Sequence, residues 1–148
     1  MSHFSRSDQA NTVGLDPLVI SRWLRISVAN PNGRKLAKNC TGHLEGIKWL
    51  GPSGWQDVFP IGSRALNWEH LPDQTKRDLH AGTEHRLDVL HAANNENVLR
   101  FSCYPNYFLT NPGTYELSIR VSAEDADSEV VTFHIHWEGT WSSLKAFD

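Results

Sequence analysis

Two neighbouring segments near the end of the chain alternate strictly between apolar and polar residues. Residues 115–123 place Tyr115, Leu117, Ile119, Val121 and Ala123 on one side. After an acidic turn, residues 131–137 place Val131, Phe133, Ile135 and Trp137 on one side. Side chains two apart on a strand share a face, so the pattern predicts two strands of a hairpin that packs its apolar face on the core.

The rest of the chain shows further short alternating segments separated by turn residues. They cover residues 22–29, 37–47, 85–91 and 98–103, with Leu24, Ile26, Val28, Cys40, Gly42, Leu44, Leu87, Val89, Leu99, Phe101 and Cys103 predicted to point inward. The weakly patterned region at 48–68 adds two short strands at 57–61 and 63–68, and residues 71–76 offer the one expected helical turn. About seven or eight strands with little helix predict an all-β, antiparallel β-sandwich, with a closed barrel as the alternative.

The domain organisation follows from length and from the polar start of the chain. Residues 1–20 are rich in Ser, Asp, Asn and Gln without a sustained period, which predicts a flexible N-terminal tail. Residues 21–148 are then expected to form a single β-sandwich domain. A chain of 148 residues is long enough to bury a self-sufficient core.

Several turn motifs resemble those of a known family. The stretch I-S-V-A-N-P-N-G at residues 26–33, followed by the alternating segment 37–44, resembles the opening hairpin of bacterial immunoglobulin-like domains of the cell-adhesion-related type. The L-H-A-G-T-E stretch at 79–84 and the P-G-T-Y stretch at 112–115 resemble later steps of the same domains. The resemblance implies an immunoglobulin-like sandwich and supplies no catalytic residue. The tryptophan-rich segment at 48–68 departs from the pattern.

Charge and cysteine usage narrow the partners and the compartment. The net charge is −3 with interspersed signs, so nucleic acid is not an expected partner. No stretch of 18 apolar residues is present, and no membrane span is expected within this chain. Without a recognisable export signal, the two cysteines predict a cytoplasmic protein with reduced thiols. The alternative is a domain cut from a membrane-anchored or exported parent.

The H-I-H triplet at residues 134–136 raises the question of a metal site. His134 and His136 share a face of the predicted strand, and a third ligand from His85, His91 or Glu138 would complete a site. The same alternation that predicts the strand gives the buried face to its apolar residues, so the favoured interpretation places both histidines in solvent. A small metal-binding protein or metal-dependent enzyme is the alternative.

Sequence motifs for catalysis are missing, whereas aromatic residues are abundant. No nucleophile elbow, phosphate-binding loop or dinucleotide fingerprint is present, so we expect neither an enzyme nor a cofactor. The candidate binding residues are Trp49, Trp55, Trp68, Tyr104, Tyr107 and Phe108. They predict a non-catalytic module that recognises a protein or a glycan through loop aromatics or an open sheet edge, unless the rings cap the ends of the sandwich. A homo-oligomer formed through sheet edges is a further expectation.

Overall fold

The computed structural model describes residues 3–12, 20–30, 35–59, 62–71, 73–104, 106–124 and 126–147, with only the backbone at 3–12 and 20. The strands are β1 (His3–Thr12), β2 (Ile20–Ala29), β3 (Ala37–Gly51), β4 (Gly54–Asp57), β5 (Arg64–Ala65), β6 (Arg77–Leu79), β7 (Glu84–Ala93), β8 (Leu99–Phe101), β9 (Phe108–Leu109), β10 (Gly113–Ala123), β11 (Ala126–Trp137) and β12 (Lys145–Phe147). Five of these contain two or three residues, which leaves seven longer strands in the described part of the chain.

The strands form two antiparallel sheets that enclose one core. One sheet has the order β1-β2-β7-β8-β9, and the other has the order β12-β11-β10-β3-β4 with β5 and β6 also paired to β3. Apolar side chains from both sheets form a single buried cluster. The molecule is therefore an all-β antiparallel sandwich, as the alternation predicts.

The C-terminal hairpin has the predicted faces. Tyr115 pairs with Ile135 and Leu117 pairs with Phe133, and all four side chains are at most 2% exposed. The polar residues between them lie on the opposite, outward face of β10 and β11. The burial of these side chains confirms the predicted apolar faces of β10 and β11, since one face of each strand is withdrawn from water.

Two β-bulges explain where simple alternation fails. In β3 the pairing with β10 jumps from Leu44 to Gly46, so the extra residue returns Ile47 to the buried side. In β7 the pairing with β2 jumps from Leu90 to Asp88, and the consecutive residues Val89 and Leu90 are both fully buried. An extra residue on one strand shifts the face of every residue beyond it.

A close approach between the sheets occurs at Gly42 of β3. A Cβ at this position would lie 2.3 Å from Cδ1 of Leu87 on β7. Gly46, on the same strand, would meet no atom within 4 Å. The absence of a side chain at Gly42 therefore permits the local spacing of the two sheets.

The segment predicted as a tail, residues 1–20, includes the strand β1. The backbone of β1 pairs along its whole length with β2, from His3 opposite Ala29 to Thr12 opposite Ile20. The sequence lacks a sustained period here, so the pattern did not indicate that this segment pairs with β2. Residues 13–19 lie outside the described part, and the domain boundary at residue 21 stays a prediction.

The predicted turn after β2 is only partly described, since residues 31–34 lie outside the described part. Its first residue, Asn30, is 2% exposed, and its side-chain amide donates to the carbonyls of Lys35 and Leu79, each at 2.8 Å. Its backbone NH donates to the Thr83 carbonyl at 3.1 Å, and its own carbonyl accepts from Gly82 at 2.7 Å. Asn30 therefore joins three segments at one end of the sandwich through its side-chain NH2 group, its backbone NH and its carbonyl.

The predicted helical turn at residues 71–76 is wrong for the described residues, which form turns and an isolated bridge to Trp68. A short 3-10 turn instead follows the last long strand, at Trp141–Ser143. Trp141 packs back against the core, and the next residue after the turn, Leu144, is 1% exposed. The chain end is thereby anchored before it forms the edge strand β12.

Candidate functional site

The two histidines of β11 point away from the core. Phe133 is 2% exposed and both Ile135 and Trp137 are fully buried, so the residues between them lie on the outer surface of the sheet. His134 and His136 are about a third exposed, at 30% and 36% of their side chains. The favoured interpretation of the H-I-H triplet, an outward-facing pair on a strand, is therefore the geometry observed.

Each histidine has polar neighbours on the adjoining strand. His134 Nε2 lies 3.2 Å from Oε2 of Glu116, and His136 Nδ1 lies 3.1 Å from Oγ1 of Thr114. His136 Nε2 is also 3.6 Å from Oε1 of Glu138. In the described part of the chain, His134 therefore has one polar neighbour, Glu116, and His136 has two, Thr114 and Glu138.

A metal site would need a third ligand near the two histidines. Within the described residues, no group of three or more His, Cys, Asp or Glu side chains is arranged to hold a metal ion. Two of the expected third ligands, His85 and His91, lie on β7 in the other sheet. The sandwich thus separates them from the histidines of β11.

Exposed apolar side chains gather around His134. Its ring centroid lies 5.8 Å from that of Trp55 on β4 and 5.8 Å from that of Phe147 on β12. Leu50, which pairs with Trp55, is 46% exposed, while Trp55 and Phe147 are 43% and 41% exposed. We call this outward surface the histidine face; it comprises Leu50, Trp55, Glu116, His134, His136 and Phe147.

The three tryptophans predicted as binding residues differ in their exposure. Trp55 lies on the histidine face. Trp49 is half-buried, and its Nε1 donates to the Pro112 carbonyl at 3.1 Å. Trp68 is fully buried in the core, with its Nε1 donating to the Thr75 carbonyl at 3.2 Å, so its prediction as a partner-binding residue is corrected. An indole that is wholly enclosed offers no surface to a partner.

The other predicted aromatic residues gather at one end of the sandwich. Tyr107 stacks on the buried ring of Phe101 at 5.5 Å between centroids, and Tyr104 lies 6.3 Å from Tyr107. The guanidinium of Arg64 covers Tyr104 at 4.8 Å. Phe108 is 44% exposed. Tyr104 and Tyr107 thus cap the core, which is the alternative that the sequence left open for these rings.

Beside this cap lies a cavity of about 310 Å³, which we call the end cavity. It is lined by residues 57–59, residues 107–111 and Tyr115. The hydroxyl of Tyr115 donates to the Asn111 carbonyl, and burial raises the pKa of Tyr115 to about 12. This phenol therefore stays protonated and acts as a fixed wall of the cavity.

A cluster of ion pairs lies on the outer side of the other sheet. Arg25 is 6% exposed, and its Nε lies 2.7 Å from Oδ1 of Asp88, while Arg86 Nε lies 2.5 Å from Oε2 of Glu69. Burial raises the pKa of Asp88, and the hydrogen bond from Arg25 opposes that rise. The cluster ties the loop around Glu69 to β2 and β7.

The two cysteines are unpaired and shielded. Cys40 is fully buried, and Cys103 is partly buried. Burial raises the pKa of each thiol to about 11. Because the thiolate is the reactive form, neither side chain has the environment of an activated nucleophile.

Sequence reasoning missed Leu50, Phe59 and Phe147 as surface or cavity residues. The alternation of β3 places Leu50 on the same side as Lys48, which was a usable signal. Phe147 lies in a three-residue strand too short to show a period. Phe59 joins the end cavity through a loop whose path the pattern did not indicate.

The sequence matches no known family model, and no curated protein is detectably similar to it. The resemblance to adhesion-related domains therefore rests on its turn motifs and on the sandwich itself. Within the described ranges, the structure contains no helix long and apolar enough to cross a membrane.

Proposed function

We propose that this chain is a non-catalytic interaction module that recognises a protein or a glycan through its histidine face. The observation that carries the proposal is the continuous row of rings from Trp55 through His134 to Phe147, which crosses the sheet in solvent. Leu50 extends the row with a further exposed apolar side chain. Grouped exposed apolar side chains rimmed by polar residues are typical of interaction sites.

The composition of the histidine face suits recognition. Large rings contribute contact area at little entropic cost, and Trp is over-represented among the residues that dominate binding energy. Glu116 and His136 add hydrogen-bonding groups beside the rings. These polar neighbours orient a partner, while the rings supply most of the free energy of binding.

The sheet face is better supported than the nearby sheet edges. The edge strands β4 and β12 contain four and three residues, and such short edges offer little ladder for strand addition. Homo-oligomerisation through an edge stays a prediction, for which the ten-residue strand β1 is the longest described edge.

We also propose that the sandwich is immunoglobulin-like, of the adhesion-related type, and that it works in the cytoplasm. The turn motifs and the two antiparallel sheets support the first statement. The unpaired cysteines support the second, since reduced thiols are typical of that compartment.

The test compares substitutions of two aromatic residues with nearly equal exposure, Trp55 on the histidine face and Phe108 outside it. A photo-crosslinking amino acid replaces Leu50, and mass spectrometry identifies the proteins that it captures in extract of the source cell. A glycan microarray identifies sugars that bind the chain. The affinity for the partner found is then measured for the wild type, Trp55→Ala and Phe108→Ala by calorimetry. We expect Trp55→Ala to weaken binding at least about tenfold and Phe108→Ala to leave it unchanged.

The metal alternative is tested in the same preparations. Elemental analysis of the wild type and of a His134→Ala, His136→Ala double variant measures bound transition metal. Stoichiometric metal that disappears in the double variant would replace the proposal with a metal protein. Equal partner affinity of Trp55→Ala and the wild type would also contradict it.

A further inference from the structure

The end cavity is a second candidate site, separate from the histidine face because none of the residues of that face lines it. It lies between the end of β4 and the segment that leads into β10. Its volume of about 310 Å³ is at the lower end of the range for small-molecule sites. The cavity therefore suits a small ligand or the end of one side chain.

Four of the nine described residues that line the end cavity are aromatic. Phe59, Tyr107, Phe108 and Tyr115 all line it. Behind them, the fully buried ring of Phe101 contacts Phe59 edge-on at 5.3 Å and stacks with Tyr107 at 5.5 Å. One core ring thus supports two walls, which fixes their positions before any ligand arrives.

The charge of the lining is negative. Asp57 is the one charged residue among the described residues that line the cavity, beside the neutral Thr110 and Asn111. Asp57 is exposed, and its carboxylate would repel an anionic ligand in the cavity. A cationic ligand compensates its charge.

Aromatic rings at this end of the sandwich already hold cations within the chain. The guanidinium of Arg100 lies 5.3 Å from the ring centroid of Phe108, and that of Arg64 lies 4.8 Å from Tyr104. Arg100 also donates two hydrogen bonds to the carboxylate of Glu96, at 2.6 and 2.9 Å. Its charge is therefore compensated by Glu96.

We propose that the end cavity binds an alkylammonium group. The rings of Phe59, Tyr107 and Phe108 stabilise its charge and pack on its alkyl groups, and Asp57 compensates the charge. The ligand is either a free small amine of the choline type or the end of a lysine side chain, whose ammonium chemistry is the same. This site does not depend on the histidine face.

Calorimetric titration of the intact chain with choline and with 3,3-dimethylbutan-1-ol is the central experiment, because the alcohol has the same shape and lacks the charge. We expect choline to bind at least about tenfold more tightly. Titration with an acetylated lysine amide and its trimethylated form distinguishes the two sources: tighter binding of a lysine derivative than of choline assigns the site to a peptide side chain.

Substitutions test whether the cation binds in the end cavity. Asp57→Asn and Phe108→Ala should each weaken binding of the preferred cation about threefold or more, while Trp55→Ala serves as the matched control and should leave it unchanged. Both test residues are exposed, and circular dichroism checks that the variants are folded. Equal binding of choline and its neutral analogue, or no cation binding tighter than roughly 10 mM, would overturn the proposal. Unchanged binding in Asp57→Asn and Phe108→Ala would do the same.

Discussion

Acid should destabilise this protein through one partly buried imidazole. His91 stacks on Trp23 with 4.4 Å between the ring centroids, and its Nδ1 is buried without a hydrogen-bond partner among the described residues. The guanidinium of Arg25 lies 4.9 Å from the Trp23 ring. Burial lowers the pKa of His91 from 6.5 to about 4, and the positive charges of Arg100 and Arg25 add to this effect against the opposing influence of Glu96.

The sign and size of the effect follow from proton linkage. The folded state binds fewer protons at His91 than the unfolded state between the two pKa values, so stability falls as the pH falls through this window. A pKa of 6.5 in the unfolded chain and about 4 in the folded chain gives a loss of about 2 kcal/mol between about pH 7 and about pH 5.

The assay compares the wild type with His91→Phe, which keeps a ring on Trp23 and removes the titrating group. Urea unfolding, followed by tryptophan fluorescence, gives the free energy of unfolding of both proteins at about pH 7 and about pH 5. We expect the difference between the proteins to shift by about 2 kcal/mol in favour of the variant at the lower pH. Burial also lowers the pKa of His85, but this residue is present in both proteins, so its contribution to the free energy of unfolding cancels in the comparison.

Substitution of an exposed histidine, His80→Gln, is the matched control and should reproduce the wild-type change with pH. The assignment of the acid sensitivity to His91 would be refuted if the two proteins, wild type and His91→Phe, kept the same difference in free energy of unfolding, within about 0.5 kcal/mol, from pH 7 to pH 5.

Three further predictions concern packing and reactivity. Gly42→Ala should lower the free energy of unfolding by about 1–3 kcal/mol, because its Cβ would meet a buried leucine at 2.3 Å, whereas Gly46→Ala should be neutral or slightly stabilising in the same denaturation assay. Ile135→Ala should cost about 2–5 kcal/mol and Thr132→Ala, on the exposed face of β11, less than about 0.5 kcal/mol; equal costs would contradict the assigned faces. The Cys40 thiol should react with a disulfide reagent far more slowly in the native protein than in urea, since burial raises its pKa to about 11; comparable rates would contradict the burial.

The resemblance to immunoglobulin-like domains is based on turn motifs, whereas the alternation of apolar and polar residues predicts which side chains are buried. Alternation identified the inward residues of the hairpin, and the structure confirms them. It did not predict the burial of Leu90, where an extra residue changes the phase of β7, and it did not identify β1. Local periodicity indicates neither where a strand carries an extra residue nor which segments pair with each other.

The sequence by itself determined which side chains of β10 and β11 leave water, and with them the outward direction of His134 and His136. It did so because successive side chains of a strand point to opposite faces, whatever lies around them. Only the tertiary structure decided that Trp68 is enclosed while Trp55 remains exposed. Only the assembled sheet brings residues as distant in the chain as Trp55 and Phe147 to the two sides of one imidazole. Such contacts depend on strand order and register, which are set by long-range packing rather than by any local pattern.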